Sequence, residues 1–148
     1  MKKLLVYLWA APATILGLVF IPVALVSSGK VQIVCGVIEI HGGLVCLFLR
    51  RGMFFSGGVE AMTLGHVILG QSASCLEVNR RHERVHVAQY ERWGPLMIPL
   101  YLLSSVVARL RGGDPYRDNR FEEEAYRLDA STGSNPVHRR EHLNFIRE

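Results

Sequence analysis

The segment His82-Glu83-Arg84-Val85-His86 holds the residues of this chain best suited to chemistry. Histidines at i and i+4 lie about 40° apart around a helix, so their imidazoles reach one point from the same face. Two imidazoles converging on one point suit a divalent metal ion. Glu83 sits about 100° round from His82, beside that point rather than on it. A carboxylate there takes a proton from a water acidified by the ion, and the chemistry implied is metal-assisted hydrolysis.

Two histidines do not complete such a centre; a third protein ligand and an open position are needed. No histidine lies between Val87 and Val137, so the third ligand is expected to be a carboxylate. Phe121-Glu122-Glu123-Glu124-Ala125-Tyr126 opens a helical segment downstream. Phe121, Ala125 and Leu128 form its apolar stripe, flanked by Glu122 and Glu124. Glu122 is the first choice as ligand and Glu124 the second. The competing reading is a solvated helix start favoured by the helix dipole.

The elements that position these groups follow from periodicity. A helix is expected over residues 73–93, capped by Ser72 or Ser74 and ended by Gly94-Pro95. Val78, His82, Val85, His86, Gln89 and Trp93 share one stripe, with Arg84 and Glu91 on the opposite, wet side. Upstream, Lys30–Ile40 and Leu44–Leu49 read as two strands joined by Gly42-Gly43, and Glu60–Leu69 as a third. Residues 50–58 read as a basic turn. Leu96–Leu110 is apolar but short for a full span, so a core or membrane-interface helix is expected, with a re-entrant segment second. Tyr101 then anchors at a membrane interface. A helix follows from Phe121 to Ser131. Residues 132–148 form a polar tail with a short helix near 138–146, and His138 and His142 read as exposed. The fold class is α+β.

Residues 4–26 contain no charged side chain, which is enough length to cross a bilayer. Lys2 and Lys3 precede the run and place the N-terminus inside, so the domain lies on the outer side of a single-pass membrane protein. A cleaved signal peptide is the rival reading. The organisation expected is an anchor at 1–28, a metal-binding domain at 29–131 and the tail. The 148 residues carry a net charge of +4, but the arginines form no tract interleaved with aromatics. Contact with anionic lipid suits that distribution; nucleic acid does not. Cys35, Cys46 and Cys75 match no metal or redox spacing. Cys35 and Cys46 pair across a hairpin in one reading, and stay free and buried in the other.

With the pentad and the Glu122-x-x-Ala125 frame, the chain resembles the zincin-like metallopeptidases of the gluzincin branch. Tyr126 stands where that branch often has an aspartate bracing a ligand histidine; Asp118 or Asp129 would have to substitute. A second resemblance covers residues 58–127. Ala61-Met62-Thr63-Leu64-Gly65-His66-Val67-Ile68 followed by His-Glu-x-x-His-x-x-Gln is similar to small bacterial zincin-like domains of unknown function. These resemblances imply a minimal zincin-like domain. Zn²⁺ is held by His82, His86 and Glu122, and Glu83 is the general base toward a peptide or protein substrate. Residues 60–69 would pair with an extended peptide. Gln89 would orient a ligand or a neighbouring backbone. Tyr90, Tyr116, Tyr126, His66 and His138 are candidates to stabilise the oxyanion. The alternative keeps the fold and the zinc but not the catalysis, as a module binding a peptide or partner protein at the membrane. A third possibility is a membrane protein with a chance pentad.

Overall fold

The computed structural model describes residues 2–51 and 58–131. The chain is α+β: six α-helices and a four-stranded mixed sheet among the described residues. The helices are α1 Lys2–Leu18, α2 Phe20–Val26, α3 Gly43–Arg51, α4 Ala73–Trp93, α5 Met97–Leu110 and α6 Arg120–Ser131. The strands are β1 Lys30–Val34, β2 Val37–His41, β3 Ala61–Leu64 and β4 Val67–Gly70, ordered β1-β2-β4-β3 in the sheet. The tail and its histidines lie outside the described residues, as does most of the turn expected at 50–58.

Three elements differ from the sequence reading. Lys30–Ile40 is a hairpin rather than one strand, because Cys35 and Gly36 both take positive φ and reverse the chain in two residues. Leu44–Leu49 belongs to helix α3, not to a strand. Gly42 and Gly43, at φ 80° and 52°, lift the chain off the sheet, and the Ser27 hydroxyl accepts from the Leu44 N–H to start the helix. Val45 and Leu49, one turn apart, are its buried residues. A short apolar run supports either state, and only the glycine pair distinguishes them. The third expected strand is also a hairpin, β3–β4, turning at Gly65-His66.

Strand alternation divides the core between the two faces of the sheet. Ile40, Val67 and Leu69 pack with Ala24, Val45 and Leu49 under α2 and α3. Val37 and Ile68 pack with Leu76 and Val87 under α4. Glu39, on that second face, is fully buried and is held by both the Nε and Nη2 of Arg80 on α4. Burial alone would raise its pKa, but the bonds from Arg80 and Gln32 outweigh this and hold it below the usual carboxylate range.

The apolar N-terminus is packed into this fold. Lys3–Val26 is long and apolar enough to cross a membrane, and so is the stretch Ala73–Leu110. Yet Ala10 and Ala13 of α1 are buried with Tyr90 and Met97, and Ala24 of α2 lies in the core beneath the sheet. Gly17 lies against β4, where a Cβ would fall 2.6 Å from that of Val67. The boundary expected at residue 28 therefore crosses a packed interface.

Candidate metal centre

Helix α4 spans Ala73–Trp93, with Ser72 as N-cap accepting from the Cys75 N–H and Gly94 closing the other end. One face carries His82, Glu83, His86 and Gln89, all buried. The wheel's outer members differ: Val78 and Trp93 are about two-fifths exposed. Helix α6 crosses this face and brings Glu122, 3 % exposed, onto the two histidines.

Three separations define the centre. His82 Nε2 and His86 Nε2 are 3.2 Å apart. Glu122 Oε2 is 3.1 Å from His82 Nε2, and its Oε1 is 3.4 Å from His86 Nε2. Ligand atoms around a tetrahedral ion with bonds of about 2.0–2.1 Å stand about 3.3 Å apart. The residues therefore fit one ion, and the His82/His86/Glu122 group is able to hold one. Glu124, the second choice, is turned elsewhere: it accepts from Gln89 and Arg92.

The bonding also sets a tautomer. Gln89 Nε2 donates to the Phe121 carbonyl and to Glu124, both acceptors, so its oxygen must be the atom facing His86. That oxygen lies 2.8 Å from His86 Nδ1, which must donate to it. His86 Nε2 is then left to face the centre, as a metal ligand requires. Neither Asp118 nor Asp129 braces a ligand: Asp118 accepts from the Asp114 N–H, and Asp129 pairs with Arg81. Gln89 does that work for His86, while His82 Nδ1 has no hydrogen-bond partner. Gln89→Ala is expected to weaken metal affinity about 10–100-fold, as loss of such outer partners does; competition with a chromogenic chelator measures it.

Without an ion, a proton takes its place. Burial alone would lower the pKa of His86, but the hydrogen bond and charge of Glu122 outweigh burial and raise it from 6.5 to about 9. Burial would raise Glu122, yet the bonds from His82 and His86 hold it far below the usual carboxylate range. A raised folded pKa stabilises fully below the unfolded value and loses that contribution above the folded one. Chelator-treated protein should therefore melt at progressively lower temperature as pH rises from 6.5 through about 9. An added divalent ion should flatten that profile, because it needs His86 deprotonated.

Glu83 is buried beside the triad, and its negative charge also favours the His86 proton. The Thr63 hydroxyl donates to Glu83 Oε2 at 2.7 Å. Thr63 lies on β3, so a strand at the sheet edge holds the candidate base.

The tyrosines sort by position. Tyr101, read from the sequence as a membrane-interface anchor, donates its hydroxyl to Glu122 Oε1 at 2.7 Å. Its apolar neighbours on α5 hid that role. The Tyr126 ring lies 4.6 Å from that of His82 and shares a hydrogen bond with Tyr116. Burial, followed by the charge of Glu122, raises both of these phenols and keeps them protonated donors at neutral pH. Tyr90 is packed in the core against Ala10 and Ala13. His66 faces away from the centre, bonded to Glu91 and stacked on Tyr7. Of the described oxyanion candidates, Tyr116 and Tyr126 are thus the two beside Glu122. The cysteines are free, with Cys35 exposed at the first hairpin turn and Cys46 on α3.

Compared with known proteins, the chain matches no family model, no curated protein and no solved structure.

Proposed function

We propose that this chain is a membrane-associated, zincin-like zinc peptidase, with His82, His86 and Glu122 as ligands and Glu83 as general base. One observation carries the reading: an intact, buried Glu83 stands beside a three-ligand centre and is held in place by its own hydrogen-bond donor. A purely structural metal site has no need of such a carboxylate. Zinc, when bound, supplies Lewis-acid chemistry toward water and a carbonyl. Glu83 accepts the proton released by the attacking water and returns it to the leaving amine. Tyr116 or Tyr126 donates to the oxygen on which charge develops.

The sheet edge suits a peptide. Among the described residues, β3 ends the strand order and pairs with β4 alone. The Gln71 N–H donates to the Glu60 carbonyl, and the register then places the ladder bonds at Met62 and Leu64. The backbone groups of Ala61 and Thr63 therefore point away from β4, the direction in which an added strand would pair. A peptide paired there would lie one residue from the contact that holds Glu83.

One observation favours a second reading. His82, His86 and Glu122 are each over nine-tenths buried, and closed sites are typical of structural zinc. On that reading the chain is a non-catalytic module binding a peptide or partner protein at the membrane. Incubating the zinc-loaded protein with a mixed peptide library, then sequencing the products by mass spectrometry, separates the two. New termini that disappear in Glu83→Gln support the peptidase. An intact library that is retained on the protein supports the module.

A further inference from the structure

Helices α1 and α5 are inverted in polarity relative to helices that face water. On α5 the hydroxyl side chains point inward. Tyr101 bonds Glu122, Ser105 accepts from Asn119, and Ser104 accepts from the Arg120 N–H. The outward residues are Leu102, Leu103, Val106 and Leu110, each more than half exposed. On α1, Thr14 faces inward and accepts from the His66 N–H. Leu4, Leu5, Leu8, Ile15 and Leu16 face out, each more than half exposed. The turn Gly94–Leu96 packs on α1 and leads directly into α5, and Met97 shares a core with Ala10 and Ala13. Water-facing helices bury apolar residues and expose polar ones; helices in lipid do the reverse.

The contact between α1 and the rest of the fold is central in the apolar run. From Tyr7, stacked on His66, to Gly17, against Val67, it extends about 15 Å along the helix axis. That is half the thickness of a bilayer's hydrocarbon core, about 30 Å. If α1 lies in lipid, the elements packed along its middle cannot stand clear of the membrane.

We propose that α1 and α5 together face the hydrocarbon of an anionic bilayer, embedding one side of the domain instead of tethering it by α1 alone. The charges agree with this occupant. Arg109 and Arg111 close the apolar face of α5. A groove of about 1140 Å³ runs beside it, lined by Leu103 and Val107 of α5 and by Arg92, Arg111, Arg120 and Arg127. Asp118, Glu123 and Glu124 also line it, with Glu124 paired to Arg92, so the arginines exceed the carboxylates by one. Apolar side chains beside arginines suit an acyl chain beneath an anionic headgroup. Tyr101 then links a lipid-facing helix directly to Glu122, and the metal centre lies about one helix diameter, 10–12 Å, from the lipid. On the peptidase reading, on which this last step rests, the substrate is a peptide segment at the membrane surface.

Trp9 lies on α1. Trp93 ends α4 beside it, with the Trp9 ring bonded to the Arg92 carbonyl and packed on Gly94, so α5 needs a reporter of its own. The W93F variant leaves Trp9 alone, and Val106→Trp in a W9F/W93F background puts a single tryptophan on the outward face of α5. In phosphatidylcholine–phosphatidylglycerol vesicles, spin labels on the lipid acyl chains should quench both reporters to a similar extent, and aqueous iodide should reach neither. Quenching of Trp9 by lipid labels and of the α5 reporter by iodide would overturn the proposal, leaving α1 as a lone anchor. Iodide quenching of both would remove the membrane altogether. Shielding of both from either quencher, in protein that cross-links as a dimer, would assign the faces to a second copy and also overturn it. The measurement needs neither metal nor substrate, so its failure leaves the metal reading standing, and the reverse also holds.

Discussion

Glu83→Gln is expected to lose peptide hydrolysis by about 10²–10⁴-fold, the usual contribution of a positioned general base, while retaining its metal. The amide keeps the shape of the carboxylate and an oxygen able to accept from Thr63. It cannot take up the proton that the attacking water must lose. The proposed ligands are His82, His86 and Glu122, so metal content should stay near that of the parent protein. Turnover with the library substrate and elemental analysis of the same preparation check both halves. Activity that survives in Glu83→Gln would remove Glu83 from the mechanism.

Glu122→Ala is the second large expected effect, and it reaches stability as well as binding. Glu122 is the shared partner of three buried groups: the rings of His82 and His86 and the hydroxyl of Tyr101. Removing one member of a buried, charged network costs about 3–5 kcal/mol, because the others stay buried without compensation. Chelator-treated Glu122→Ala should therefore melt well below chelator-treated parent protein. Metal should no longer rescue it, since two imidazoles alone do not close a tight centre. Glu124→Ala, by contrast, should keep its metal, because Glu124 bonds Gln89 and Arg92 and does not touch the histidines. Calorimetry with and without added zinc reads all three proteins.

The convergence of His82, His86 and Glu122 was legible because these residues carry strong local signals. The serine cap and Gly94-Pro95 bound α4, and the i, i+4 spacing sets both imidazoles on one face. Glu122 was reachable because Phe121 and Ala125 mark the buried side of α6. Tyr101 was not, because its neighbours Leu100, Leu102 and Leu103 describe an apolar helix and say nothing about what one inward hydroxyl meets. The Thr63–Glu83 contact joins a strand to a helix twenty residues on, a tertiary relation that no spacing rule contains. Helix α3 was misread because Leu44–Leu49 has no polar alternation to set its period. The packing of α1 left a faint signal: Ala10, Ala13 and Gly17 are small residues at helical spacing, which lets backbones approach closely. Hydropathy sees the apolar run but not which side of it meets lipid and which meets protein.

The peptidase proposal requires His82, His86 and Glu122 to form one zinc centre. Elemental analysis of detergent-purified protein that has never met a chelator, beside His86→Ala and Glu122→Ala, tests it most directly. About one zinc per chain is expected in the parent and almost none in either variant. Folded parent protein without zinc or any other divalent ion, or zinc that persists in both variants, would contradict it.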